Sequence, residues 1–245
     1  ELRKQHTEIL VHTGQHYDDN LSAIFFHELG ISNPDYNLAI GSASHGKQTG
    51  KMLSAIESVL IAENPDLVMV YGDTNSTLAG ALAASKLHIK IAHVEAGLRS
   101  FNRNMPEEIN RVITDHISDL LFCPSQCSID NLLAEGINDG LHLVGDVMHD
   151  ALLLALKNDL QKPKEVLGKY NLKEKGYLLV TIHRAENTDD PRRLSAIIKA
   201  FNEINSKILW PIHPRTLQKM HEYGIKSSDH IQIIDPVGYY EMLLL

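Results

Sequence analysis

The stretch Leu67-Val68-Met69-Val70-Tyr71-Gly72-Asp73-Thr74-Asn75-Ser76-Thr77 decides the fold. Leu67–Val70 is a short, unalternating apolar run, as expected for a strand buried on both faces of a parallel sheet. Gly72-Asp73-Thr74 ends it, and the alanine-rich segment Ser76–Leu87 reads as a helix. The unit then repeats. Ile89–Val94 is a strand, Glu95–Arg103 a loop, and Pro106 to about Ser118 a helix, with Pro106 at a first helical position and Glu107 and Glu108 behind it. Leu120–Cys123 and Leu141–Val144 are further strands, followed by helices from Ser125 to Glu135 and from Val147 to Leu156. Alternation of this kind predicts an α/β fold with parallel sheets.

Upstream, His6–His12 reads as a strand, Gly14 as a turn, Leu21–Leu29 as a helix, Tyr36–Ile40 as a short strand and Lys47–Glu63 as a helix that Asn64-Pro65-Asp66 breaks. Downstream, Lys157–Lys175 is charged, contains Pro163 and Gly168, and has little strand character. It is the expected hinge, giving domains at 1–156 and 157–245. Beyond it, strands at Tyr177–Ile182, Ile208–Ile212 and Ile231–Ile234 alternate with a helix at Pro191–Asn205 and another starting at Gly238. Two such units imply a ligand cleft between them. The ends, Glu1–Gln5 and Tyr239–Leu245, read as helices cut short, so the sequence is expected to be part of a longer chain.

Composition narrows the function. With 245 residues, 43% hydrophobic and 22% charged, the chain is of soluble globular type. Its net charge of −8 argues against broad binding to nucleic acid, which needs a basic footprint. No apolar run is long enough for a membrane span, and no signal peptide is visible. Two cysteines, Cys123 and Cys127, do not make a disulfide framework, so a reducing, cytoplasmic setting is expected. Cys123-Pro124-Ser125-Gln126-Cys127 lacks a second pair, and no His-Glu-x-x-His occurs, so no metal site is expected. There is also no glycine fingerprint for nicotinamide, no P-loop and no serine-hydrolase elbow.

The acidic residues between Tyr71 and Arg111 fall at strand ends and helix starts, where ligands bind in open α/β sheets. Asp73 and Glu107 also suit ordinary roles as a helix cap and a first-turn acid, and Arg111 is spaced to pair with Glu107. Glu95, directly after an apolar strand, is a poor cap and needs a partner such as Arg99 or Arg111. Three carboxylates close together raise one another's pKa and can donate and accept protons. His183 and His213 each end a strand and are followed closely by Arg184 and Arg215. Either histidine could be purely structural, but His plus Arg also suits a phosphate clamp.

Taken in order, Thr13-Gly14-Gln15-His16, Gly72-Asp73-Thr74, His93-Val94-Glu95-Ala96-Gly97-Leu98-Arg99, Pro106-Glu107-Glu108-Ile109-Asn110-Arg111 and His183-Arg184-Ala185-Glu186-Asn187 resemble the motifs of the non-hydrolysing UDP-N-acetylglucosamine 2-epimerase family. The resemblance implies two Rossmann-like domains of GT-B type, with the second only partly present in this sequence. It implies interconversion of UDP-GlcNAc and UDP-ManNAc by elimination and re-addition of UDP, without cofactor or metal, in a homodimer. By motif, Asp73, Glu95 and Glu107 are the acid/base carboxylates and His183 the active-site histidine near the diphosphate. Arg111 holds the carboxylates or substrate, and Gln15, His16, Arg184 and His213 match positions that bind a second, regulatory UDP-GlcNAc in some members. Segments that this resemblance places at the diphosphate and ribose lie outside the 245 residues, so this piece alone is expected to have little activity. Gly145-Asp146-Val147-Met148 and His183–Asp189 also resemble the branch acting on UDP-2,3-diacetamido-glucuronic acid, whose carboxylate would need a cation such as Arg99, Arg103 or Arg215. A hydrolysing epimerase, a GT-B glycosyltransferase and a non-catalytic UDP-sugar binder are the other readings.

Overall fold

The computed structural model describes residues 2–14, 30–158 and 163–245. Numbered along these residues, the elements are β1 Val11–His12, β2 Tyr36–Asn37, α1 His45–Glu63, β3 Leu67–Tyr71, α2 Asn75–Lys86, β4 Lys90–Val94, α3 Pro106–His116, β5 Leu120–Cys123, α4 Gln126–Ala134, β6 Leu141–Leu143 and α5 Val147–Asn158. They continue with α6 Pro163–Lys169, β7 Tyr177–Leu179, α7 Ala185–Thr188, α8 Pro191–Glu203, β8 Lys207–Pro211, α9 Pro214–Glu222, β9 Ile231–Ile234 and α10 Tyr239–Leu244. The chain divides into two compact units at Leu154/Ala155. Every strand pair is parallel: β1-β2, β3-β4-β5-β6 and β7-β8-β9. The fold is the α/β class expected, with parallel Rossmann-like sheets. The helix expected at Leu21–Leu29 lies outside the described residues.

In the first unit the helices and sheet meet in a core of Met52, Ile56, Leu60, Val70, Ala79, Ala83 and Ile91. Small residues let α2 lie close to the sheet: a Cβ on Gly80 would come within 3.1 Å of Val70. The strand most completely enclosed is β4, not β3. Ile91, Ala92, His93 and Val94 are all buried, while Leu67 and Tyr71 of β3 are exposed. The reason is position. β4 has a neighbour on each side, whereas among the described strands β3 has only one. A core strand thus carries a fully buried histidine, His93.

Register sets the site. Tyr71 pairs with Val94 and Val94 with Phe122, so the ends of β3, β4 and β5 are level. Asp73 and Glu95 therefore leave the sheet at the same edge, the carboxyl end where open parallel sheets bind ligands.

The second unit has its own core of Leu194, Ile198, Ile208, Trp210, Ile212 and Met220. Two differences from the sequence reading occur here. The charged segment read as a hinge contains α6, and the following Tyr170 and Leu172 are buried against Leu209. His213-Pro214-Arg215 opens a further helix, α9, in which the His213 side chain accepts from the Arg215 N–H as the N-cap.

Candidate active site

Asp73 does not cap α2. Thr74 does: its hydroxyl accepts from the Thr77 N–H, and the Thr77 hydroxyl in turn accepts from the Thr74 N–H, a capping box. This relieves Asp73 of helix duty. Its carboxylate takes a hydrogen bond from Arg111 Nη2 instead, and its backbone carbonyl accepts from the Asn110 amide at 2.9 Å. Asn110 and Arg111 come from α3, so one helix turn fixes both the backbone and the side chain of Asp73.

Glu95 is held in an uncommon conformation, with φ of 74°. A non-glycine residue in the left-handed region costs on the order of 1–2 kcal/mol and is found where the surroundings impose it. Gly72, itself at φ 63°, leaves room for it: a Cβ there would sit 3.3 Å from Glu95 Oε2. Burial pushes the Glu95 carboxyl above the usual carboxylate range. The charges of Asp73 and Asp146 push it further, while His93 and Arg111 pull the other way. A carboxyl raised in this way, beside two other acids, is suited to both holding and releasing a proton.

Arg111 and the two acids thus form one cluster, but not with the pairs expected from spacing. Arg111 pairs with Asp73 and with Glu108 at 3.3 Å, not with Glu107. Glu107 is exposed, with no hydrogen bond or ion pair among the described residues. Of the two arginines expected to partner Glu95, only Arg111 is near it. The Arg99 side chain is buried and donates to Asp115 at 2.7 Å and to both oxygens of Glu135 at 2.7 and 2.8 Å.

Glu108, adjacent to the predicted Glu107, is the interior member of the pair. It is 3% exposed and accepts from the Ser100 N–H and hydroxyl and from the Phe101 N–H at 2.8–2.9 Å. Burial acts to raise its carboxyl, but these donors and Arg111 outweigh it and hold the group below the usual range. Glu108 therefore folds the loop after β4 back onto α3. Glu108→Ala should strand these buried donors and cost about 2–4 kcal/mol, read as a lowered denaturant midpoint.

On the second unit, His183 and Arg184 follow β7 and are exposed. Arg184 lies 3.9 Å from Glu186, too open and too distant to be a strong pair. The Thr216 hydroxyl donates to the Ile182 carbonyl at 2.9 Å and so ties the start of α9, capped by His213, to the residue before His183. Arg215, one of the three cations considered for a uronate, is taken up by both oxygens of Asp189 at 2.7 Å. Gln15 and His16 lie outside the described residues. A groove of about 610 Å³ lined by Arg99, Phe101, Arg103, Glu108, Ile109 and His116 includes neither Asp73 nor Glu95.

The model of the UDP-N-acetylglucosamine 2-epimerase family matches residues 1–245. The chain belongs to that family. A UDP-N-acetylglucosamine 2-epimerase homolog of Methanococcus maripaludis is 58% identical over 100% of this chain and 70% of that protein. The UDP-2,3-diacetamido-2,3-dideoxy-D-glucuronate 2-epimerase of Pseudomonas aeruginosa is 53% identical over 98% of this chain and 67% of its own. Among solved structures, the UDP-GlcNAc 2-epimerase of Methanocaldococcus jannaschii, in complex with UDP-GlcNAc and UDP, superposes with a TM-score of 0.86 at 49% identity, covering 99% of this chain and 70% of that one.

In this epimerase-family chain, sequence motifs located Asp73, Glu95 and Arg111 and missed what holds them. His93 Nδ1 is hydrogen-bonded to Asp115 Oδ1 at 2.6 Å, and the Nε2–H donates to the Gly72 carbonyl at 2.8 Å. Asp115, 1% exposed, also accepts from the Gly97 N–H at 3.1 Å and from Arg99. One signal was available: a histidine inside an otherwise apolar strand, and an aspartate within an amphipathic helix, each need a buried partner.

Proposed function

We propose that the protein is a UDP-N-acetylglucosamine 2-epimerase, interconverting UDP-GlcNAc and UDP-ManNAc for polysaccharide precursor synthesis. The observation that carries this reading is the pair Asp73 and Glu95, level at the carboxyl edge of the sheet, with the Glu95 carboxyl pushed up by burial and by its acidic neighbours. The reaction needs proton transfer at C2. A base takes the C2 proton while the C1–oxygen bond to UDP breaks; the electron pair of the C–H bond becomes the C1–C2 double bond, and UDP leaves with its own pair. Return of a proton to the opposite face of C2, with re-addition of the UDP oxygen at C1, gives the epimer. No electron is gained or lost, so no redox cofactor is required, and no metal is proposed. Glu95 and Asp73 supply acid and base, with Glu107, exposed at the first turn of α3, as the third carboxyl. Arg111 keeps Asp73 oriented. His183 provides a donor for the phosphates of the nucleotide, whose departure needs positive charge. Gln15, His16, Arg184 and His213 are assigned to a second UDP-GlcNAc that regulates the enzyme.

A second reading is favoured by the 53% identity to the Pseudomonas diacetamido-glucuronate enzyme. A uronate needs a cation, and of the three arginines considered, Arg99 and Arg215 are occupied by carboxylates, whereas Arg103 makes no hydrogen bond or ion pair among the described residues. Incubating the full-length protein with each UDP-sugar and following the anomeric proton by NMR tests both. Turnover of UDP-GlcNAc to UDP-ManNAc supports the first reading, and turnover of the diacetamido-uronate alone supports the second. Free ManNAc accumulating with UDP would instead mark a hydrolysing enzyme. No helix among the described residues is long and apolar enough to cross a membrane. We place the enzyme in the cytoplasm, as a homodimer, for which sedimentation at twice the monomer mass is the check.

A further inference from the structure

Hydrogen bonds hold the His93 ring at both nitrogens. A carbonyl oxygen can only accept, so Nε2 donates to Gly72. Nδ1 is bonded to Asp115, which also accepts from Gly97 and from Arg99. The ring is 0% exposed and lies two residues before Glu95. Asp115 grips the chain on both sides of Glu95, at His93 and at Gly97, and so brackets the residue whose backbone is in the left-handed region. Across the sheet, the Gly72 N–H donates to the Val94 carbonyl at 3.1 Å while its own carbonyl accepts from His93. Gly72, the residue before Asp73, is thereby tied to β4 at both its backbone polar atoms.

We propose that His93 and Asp115 are positioning residues for the reaction, a buried histidine–aspartate pair that sets Asp73 and Glu95 relative to each other. The inference rests on the epimerase reading and adds to it residues that touch no substrate. The titratable and charged groups facing Glu95 are Asp73 from the β3 loop, Asp146 from the loop after β6, Arg111 from α3 and His93 from β4. Those facing the pair are Arg99 and, on β5, the Cys123 thiol, which burial and Asp115 push up.

Removal of the imidazole takes away one of the two groups that oppose the upward push on Glu95. His93→Gln should therefore move the acidic limb of the kcat profile to higher pH. It should also lower kcat by about 100-fold, the scale of a 1 Å misplacement, and leave KM within a few-fold. A purely structural histidine would lower the amount of folded enzyme without moving the limb, and an unmoved limb in folded His93→Gln overturns the proposal. A second measurement does not depend on that variant or on turnover. In a crystal structure of Asp115→Asn, Asp73 and Glu95 should be displaced relative to each other by about 1 Å, and unchanged positions overturn the proposal. Wild-type protein that exchanges no proton at C2 would refute the epimerase reading, while that structure would still decide the positioning.

Discussion

Glu95→Gln lowers kcat by about 10²–10⁴-fold, the usual contribution of a general acid or base, while thermal stability rises at pH above the folded-state titration of that carboxyl. Both halves come from one environment. The glutamine keeps the size and hydrogen-bonding capacity of the side chain but cannot carry a proton to or from C2. The stability gain follows from the direction of the shift. The folded-state carboxyl, pushed up first by burial and then by Asp73 and Asp146, ionises at higher pH than the unfolded one. The fold therefore has its full share of stability from this group below the unfolded value, and that share is lost as pH rises through the folded value. At pH above the folded value the ionised Glu95 is a net cost that glutamine removes, and below the unfolded value the advantage of the variant should vanish. Melting curves of both proteins at two pH values check the sign. A variant that loses activity and stability together would mark Glu95 as structural.

Gly97→Ala is expected to have the largest effect on folding. Gly97 has φ of +77°, and an added Cβ would lie 2.3 Å from the Ser128 carbonyl oxygen and 2.7 Å from its carbon. Those atoms are backbone of α4 and cannot swing aside. The Gly97 N–H is also one of the donors to Asp115, so any retreat of this segment loosens the grip around Glu95. We expect a loss of more than about 4 kcal/mol, a large part of the total stability of a domain. For a chain of this size that is a fall in Tm of roughly 8–16 °C, measurable by calorimetry. The neighbouring Leu98→Ala, at an exposed position, should shift Tm by only a degree or two.

The parallel sheets were legible because Leu67–Val70, Leu120–Cys123 and Ile231–Ile234 are short apolar runs between strong turn and cap signals. Asp73, Glu95 and Arg111 were legible as an ordered set of motifs, and the structure brings them together. What the sequence did not show were the pairings. Arg111 sits four residues after Glu107, the helical spacing for a pair, yet it turns to Asp73 and Glu108 because the β3 loop packs on the other side of α3. Local spacing knows nothing of a strand 38 residues away. The capping role was misplaced by one residue for a similar reason. Asp73 and Thr74 are both good caps by type, and only the geometry of the turn shows that Thr74 does the capping. The His93–Asp115 pair was hidden because its members lie 22 residues apart on a strand and a helix. The helix of α9 was missed behind Pro214, which starts a helix as readily as it ends one.

The central claim is that this family member moves a proton at C2 of a UDP-sugar. Full-length protein incubated with UDP-GlcNAc in D₂O and followed by ¹H NMR tests it most directly. The account predicts deuterium at C2 of UDP-ManNAc and of recovered UDP-GlcNAc, and loss of that exchange in Glu95→Gln. Epimerisation with the C2 proton fully retained, or exchange undiminished in Glu95→Gln, would contradict it.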